Sequence, residues 1–383
     1  MIELNLNSRL RIMMIETGGW GGMFHYTCCL ANGLVKHNVD VTVVTAAGHE
    51  TPFDLKFQIA PVIAQKSGYL KNIFSVYKQI KQERPDLIHI QSWFTARRDW
   101  IMILALKLMS IPVVVTAHNL LPHDKEEKDA LLMSWSYKMI YKTATGLIAH
   151  SKENRDRLCS RFSIPVKQIR NIRHGNYGFI YEKHKEMLLQ YSCEKIIPGA
   201  EEKRLFLMQG TIRHYKGVDI VLKAIPMLED PARVHLIVAG KPYGRLLEKY
   251  REMAEDLDIN ECVTFIPGYL DEAQIAKLIY CADAVLFPYR DIFQSGALLA
   301  ALGFGKPVIA SSIGSFPETI NDKCGWLIKP DSPSELAAAM NMAVRSFDDE
   351  LDKMGKESFR ISLQEHGWDD IAAQTKVFYL TQI

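Results

Sequence analysis

The chain has 383 residues, of which 48% are hydrophobic and 23% charged, with a formal net charge of +2. That length exceeds one ordinary domain and suits two of roughly 150–200 residues each. The composition excludes a disordered or low-complexity chain. Short β-branched apolar runs alternate with helical stretches, the pattern of parallel sheets joined by crossover helices. In the first half the reading gives a strand over 10–16, a glycine turn over 18–22 and a helix over 23–37. A strand over 40–45, a helix near 70–83 and a strand over 86–91 follow. Next come a helix over 99–108, a strand over 112–116, a helix over 129–143 and a strand over 146–150. Ser151, with Asn154 three residues on, then caps a helix ending near Phe162.

The second half restarts the rhythm. Its expected strands are 205–209, 234–239, 263–267, 284–288, 307–310 and 325–328. Helices are expected over 218–228, 244–257, 271–281, 295–303 and 333–345. The boundary falls in the polar stretch between Tyr177 and Lys203. The chain therefore reads as α/β, with two Rossmann-like domains over 1–180 and 181–367 facing across a cleft. A doubly wound repeat of this kind binds its ligand at the carboxyl edges of the sheets.

Gly18-Gly19-Trp20-Gly21-Gly22 follows a strand and opens a helix, where backbone and ligand can approach closely and the helix start favours an anion. Dinucleotide binding is disfavoured: the spacing is not G-x-G-x-x-G, and no acidic residue ends the next strand. Arg213 and Lys216, three apart in the first strand-to-helix loop of the second half after Gly210, suit a diphosphate clamp, although two solvated cations would look the same. Gln294-Ser295-Gly296 opens another helix, either as phosphate donors or as an ordinary serine cap. His118 and Asn119 lie just past a strand end, where functional side chains collect. His150 reads as a turn residue, while His174 and Tyr177 close the first half and are candidates to face the cleft. Asp256-Leu257-Asp258, the one D-x-D, reads as solvated surface, and no other group has metal-ligand spacing. No metal and no cofactor are expected.

Taken in order, these segments resemble the family 4 retaining glycosyltransferases of GT-B fold. The resemblance runs through Gly18–Gly22, Thr116-Ala117-His118-Asn119, Gln209 to Asp219, Ala282 to Tyr289, Gly305 to Ala310 and Gly314 to Glu318. Trp368-Asp369-Asp370-Ile371 resembles the start of the terminal helix, over 368–383, that crosses back to the first domain. The sequence departs where many members carry two glutamates eight positions apart: Ile292 and Ala300 stand there, with Asp291, Gln294 and Ser295 the nearest polar substitutes. The resemblance implies a UDP- or GDP-sugar donor on the second domain and a glycan or lipid-linked acceptor on the first. Transfer would be metal-independent and retain configuration, with Arg213 and Lys216 neutralising the departing diphosphate. It further implies that His118 bonds the transferred sugar and that the amide of Gly19 or Gly21 meets the diphosphate, with Gly22 beside them in the donor site. Two rivals remain, a sugar-nucleotide epimerase of the same fold and a non-catalytic partner subunit.

The charge is uneven: residues 1–180 carry 23 Lys and Arg against 14 Asp and Glu, and the remainder 23 against 30. A balance of +9 in the first half agrees with an acceptor on an anionic membrane face. Nucleic acid is not expected, for want of an aromatic-basic motif. The segment 69–84 places Leu70, Ile73, Phe74 and Tyr77 at helical spacing among lysines, either as a stripe packed inward or as a membrane-surface helix. Seven cysteines without metal spacing, no leader-like start and no run of ~20 apolar residues suit reduced thiols in a cytoplasmic or peripheral protein.

Overall fold

The computed structural model describes residues 9–64, 67–92, 98–118, 127–199 and 202–383, with the backbone alone for 127–133. Within these, the chain divides into two compact units: 1–175 together with 366–383, and 176–365.

The first unit runs β1 (Leu10–Ile15), α1 (Gly21–Lys36), β2 (Val39–Ala46), β3 (Gln58–Ile63), α2 (Tyr69–Glu83) and β4 (Leu87–Ile90). It continues through α3 (Asp99–Leu108), β5 (Val113–Thr116), α4 (Glu127–Thr143), β6 (Gly146–Ala149), α5 (Lys152–Phe162) and β7 (Ile169–Asn171). The strands form one sheet in the order β3-β2-β1-β4-β5-β6-β7, every pair parallel. Central strands buried on both faces read as unbroken apolar runs, as in Val113-Val114-Val115, because helices cover both sides. Chain direction across the sheet reverses between β1 and β4, the topological switch point.

The second unit holds α6 (Gly178–Leu189), β8 (Arg204–Gln209), α7 (Val218–Ala224), β9 (Val234–Gly240), α8 (Leu246–Asp256), β10 (Val263–Pro267) and α9 (Glu272–Cys281). Then follow β11 (Ala284–Phe287), α10 (Gly296–Gly303), β12 (Val308–Ser311), α11 (Phe316–Thr319), β13 (Gly325–Ile328), α12 (Pro333–Arg345) and α13 (Asp348–Glu365). The sheet order is β10-β9-β8-β11-β12-β13, again all parallel, so the switch point lies between β8 and β11. The last helix, α14 (Trp368–Leu380), belongs to the first unit, where Ile371, Ala372, Phe378 and Tyr379 join the core on the α1 side of the sheet. A side-chain carbon at Gly33 of α1 would lie 2.8 Å from the Ala372 methyl carbon, so α1 and α14 pack at glycine distance.

Five elements escape the sequence reading, one of them the four-residue helix α11. Strand β3 contains Pro61, which argues against a strand yet is tolerated at a sheet edge. Strand β7 is a three-residue edge. Helix α6 occupies the stretch taken as a polar boundary; it and Tyr177 pack into the second unit's core, so Tyr177 does not close the first domain. Helix α13 is highly polar along much of its length. The expectation of reduced thiols is corrected at one pair: Cys193 and Cys281 are disulfide-bonded with Cα atoms 5.4 Å apart, while five cysteines are free. Eighty-eight residues separate the pair in sequence, so no local spacing announces it. Helix α2 turns its buried positions, Asn72, Val76 and Ile80, inward. Leu70 at 79% exposure, Phe74 at 68% and Tyr77 face outward beside Lys71, Lys78 and Lys81. The inward-packed stripe is thus overturned for three of its four residues.

Candidate functional site

The second unit's switch point assembles the expected cations. Strand β8 ends at Gln209, and the loop after it carries Gly210, Arg213, Lys216 and Gly217. The Lys216 ammonium donates to the Gln209 carbonyl at 2.9 Å and stands 5.3 Å from the Tyr289 ring centroid. It folds back over Gly210, where a side-chain carbon would come within 2.7 Å of Nζ; glycine is also favoured there by φ +99°. Burial pushes the Lys216 pKa below its usual range; Tyr215 opposes this and Arg213 adds to it. The Arg213 guanidinium lies over Tyr243, 4.6 Å from its centroid.

A residue missed by sequence reasoning fixes this loop. Arg290, three residues past β11, donates bidentately to both Asp219 carboxylate oxygens at 2.8 Å and to the His214 carbonyl at 3.0 Å. It also donates to Asp331 at 2.6 Å, and its backbone N–H reaches the Tyr215 carbonyl at 2.7 Å. Burial raises the Asp219 pKa, but the Arg290 hydrogen bonds and charge outweigh it and hold the carboxyl below its usual range. Gly217, at φ +73°, lets the loop close on β11, since a side-chain carbon there would sit 2.2 Å from the Pro288 carbonyl. The sequence signal was an arginine at a switch-strand end, seventy-one positions from its acid.

After β11 the chain runs through Asp291, partly exposed, and Ile292, buried, to Gln294 and Ser295. The Ser295 hydroxyl accepts the Leu298 N–H at 3.2 Å, so it caps α10. Gly296 lies against Tyr177, with room for no side-chain carbon beyond 2.9 Å from the ring. Tyr177 is therefore a packing residue behind the start of α10. Ala300, at the second missing-glutamate position, is buried within α10. Asp256 and Asp258 are exposed, at the end of α8 and just after it.

The first unit's switch point is acidic where phosphate contacts were expected. Glu16, 2% exposed, turns back into its own loop and accepts the N–H of Gly18 at 2.9 Å and of Gly19 at 2.7 Å. Thr45 and Ser92 hydroxyls donate to the same carboxylate, at 3.2 and 3.3 Å. The Gly21 N–H donates to Glu50 at 3.2 Å, and His25 Nε2 is 3.0 Å from that oxygen. The Gly19 and Gly21 amides thus serve carboxylates in place of the expected diphosphate; Gly22 lies exposed in the first turn of α1. A cavity of about 370 Å³ opens here, lined by Glu16, Thr17, Trp20, Gln91, Ser92 and His118 among others. A larger one, about 560 Å³, lies among Arg9, Arg11, Asp40 and Lys56 at the opposite, amino edge of the sheet.

His118 is half-buried, its Nε2 2.9 Å from the Gln91 side-chain oxygen and its Nδ1 3.3 Å from His150 Nε2. His150 is therefore more than a turn residue, and His174 joins the same group, its ring centroid 4.9 Å from that of His150. Burial lowers the pKa of each of the three, that of His150 to about 4, and the neighbouring imidazoles add to the effect at His118 and His174. The rings are neutral near pH 7, with Tyr26 edge-on to His118 and His174. A direct bond from His118 to a sugar requires one of its two present contacts to open. Asn119 lies outside the described residues.

Two family profiles match in tandem: Glycosyltransferase Family 4 over residues 20–175, and Glycosyl transferases group 1 over 194–359. A GDP-mannose:glycolipid 4-beta-D-mannosyltransferase of Xanthomonas campestris pv. campestris is 26% identical over 211 residues, 55% of this chain and 53% of that one. The chain thus spans about half the length of that relative. A D-inositol 3-phosphate glycosyltransferase of Mycobacterium marinum is 25% identical over 361 residues, 86% of this chain and 74% of that one. The crystal structure of Anabaena HepE in complex with UDP and glucose superposes with a TM-score of 0.72 at 16% identity, covering 97% of this chain and 100% of that one. The tandem profiles and two parallel Rossmann-like sheets make the chain a member of glycosyltransferase family 4, with the GT-B fold.

Proposed function

We propose that the protein is a retaining hexosyltransferase that moves a sugar from a UDP- or GDP-sugar to a glycan or lipid-linked acceptor. The observation that carries this reading is the Lys216 and Arg213 loop at the β8/β11 switch point, locked by Arg290 beside the start of α10. A cation held on the rigid end of a sheet stabilises charge as it develops, which is the larger part of catalysis for a leaving diphosphate. In the step, the bond from the anomeric carbon to the phosphate oxygen breaks and a bond to the acceptor oxygen forms. The acceptor's proton passes to an oxygen of the departing diphosphate. No protein nucleophile and no magnesium on the diphosphate are required.

The donor binds the second unit through Lys216, Arg213, Gly210 and the Gln294-Ser295-Gly296 helix start, with Asp291 toward the ribose. The acceptor binds the first unit, where His118 and Gln91 present polar edges to the cavity beside Glu16. The acidic lining favours the hydroxyl-rich, uncharged end of a glycan there. The relatives' names, a glycolipid mannosyltransferase and a structure holding UDP and glucose, support this substrate class. A thermal-shift screen across UDP-, GDP- and ADP-sugars tests it, because a ligand bound by the native state raises apparent stability. A UDP- or GDP-sugar should stabilise the protein and yield a glycosylated product when acceptor is added. Free sugar with no glycoside formed would indicate the epimerase instead, and no stabilisation by any nucleotide sugar would indicate a non-catalytic homologue.

A further inference from the structure

Three imidazoles in the first unit meet although they are far apart in sequence. His118 follows β5, His150 follows β6 and His174 follows β7, so three adjacent parallel strands deliver one histidine each to the same carboxyl edge. One ring nitrogen from each lies within 4.8 Å of those of the other two. We propose that His118, His150 and His174 form a binding site for a borderline divalent cation of the d-block, with zinc the best fit.

The other nitrogen of every ring decides the tautomer. His150 Nδ1 donates to the Ile172 carbonyl at 3.0 Å and His174 Nδ1 to the Gly175 carbonyl at 2.7 Å. His118 Nε2 donates to the Gln91 oxygen at 2.9 Å. A neutral imidazole carries one proton, so these bonds leave His118 Nδ1, His150 Nε2 and His174 Nε2 as the unprotonated nitrogens. Metal-bound histidines characteristically carry such an outer hydrogen bond to a carbonyl or side-chain oxygen, and all three do here. His118 Nδ1 and His150 Nε2 stand 3.3 Å apart with their lone pairs toward each other. Two ligands about 2.0–2.1 Å from a tetrahedral zinc stand about 3.3–3.4 Å apart, so this pair already has the required edge. Without a cation or a shared proton the contact is repulsive. Neutral imidazoles suit zinc, copper, iron or nickel, while magnesium and calcium demand oxygen ligands. His118 also lines the cavity, which gives a cation a path in. The proposal rests on the first unit alone; because His118 also lines the cavity assigned to the acceptor, its test reads cobalt binding and not glycosyl transfer.

The test uses the full chain, stripped with chelator and titrated with cobalt(II) alone. One equivalent should bind with the visible absorption of four-coordinate cobalt and be displaced by zinc. His150→Ala and His174→Ala, each checked by circular dichroism, should lose that absorption and bind on the order of 100-fold more weakly. Gln91→Ala removes the oxygen that orients His118, together with the amide contacts to His89, and should weaken cobalt by about 10–100-fold. His37→Ala, remote from the cluster, should change nothing. Where an alanine variant does not fold, the wild-type histidine nitrogen resonances decide: loading shifts these three rings together. Failure of the stripped chain to bind cobalt overturns the proposal. Binding that survives both alanine variants, or resonances showing a proton kept between His118 and His150 in the presence of cobalt, does the same.

Discussion

Replacing Lys216 by alanine isolates the group on which the proposed reaction depends most. Its ammonium contacts only the Gln209 carbonyl and the Tyr289 face among the described interactions, and its pKa is already lowered by burial. Deleting it strands no buried counter-charge, so stability should change by no more than about 1 kcal/mol, the worth of one hydrogen bond. Turnover is another matter. An ammonium about 4 Å from a diphosphate oxygen interacts by about 4 kcal/mol at the effective dielectric of a partly buried site. Loss of a single preorganised charge-stabilising donor costs about 2.7–4 kcal/mol in kcat, a factor of roughly 100–1,000. The assay is release of nucleoside diphosphate from the donor that stabilises the wild type most, with melting temperature measured alongside. Gly210→Ala provides an independent route to the same defect, because its new carbon would displace Nζ from 2.7 Å and sit at φ +99°. The double variant should be little worse than Lys216→Ala alone, since both act on one group. Lys216→Ala with kcat within about threefold of wild type and an unchanged melting temperature would refute the diphosphate role.

The remaining expectations concern what surrounds that lysine and what lies far from it. Arg290→Ala should cost about 2 kcal/mol, near 4–8 °C, by leaving Asp219 unpaired, and should lower kcat more than tenfold as the His214–Lys216 turn loosens. Arg290→Lys should not restore activity, because a single ammonium cannot make the bidentate contact. Thiol titration of the denatured, unreduced chain should find five cysteines, and reduction of Cys193–Cys281 should lower the melting temperature on the order of 10 °C, given a loop of 88 residues; seven thiols before reduction would disprove the bridge. Leu70→Ser with Phe74→Ser should abolish flotation with anionic vesicles at low salt while leaving the fold intact, since both side chains already face water. Equal flotation of variant and wild type would remove α2 from the membrane reading.

Legibility followed what each signal depends on. Strands at the sheet centres were readable because burial on both faces makes them continuous runs, as in Val113-Val114-Val115, and α5 because Ser151 caps it through the Asn154 N–H at 3.1 Å. Edges were not readable: β3 tolerates Pro61 because it has one neighbour only, and β7 is too short to show a period. At the site, Arg213 and Lys216 followed from loop position. Arg290 did not, since its meaning comes from Asp219, His214 and Asp331, which only the fold brings to it. The histidine group was hidden for the same reason: metal-spacing rules look along one chain segment, and these ligands come from three strands.

The glycine loop shows how one motif can keep its backbone shape and change its load. Glycines after β1 were expected to offer bare amides to a diphosphate, but Glu16, the residue that ends the strand run, is near enough to take two of them, and Glu50 takes a third. Two amides and two hydroxyls give this nearly buried carboxylate the donors that water would otherwise supply. Its field repels a diphosphate instead of attracting one. The negative charge released in the proposed reaction must then fall on the second unit, which explains why the Lys216 loop there is held so firmly by Arg290. Glu16→Gln separates the two halves of this argument: it removes the charge while keeping the shape. If the loop's role is to exclude anions, the variant should bind nucleoside diphosphate more tightly than wild type. An affinity that is unchanged or lower in the variant would refute that role.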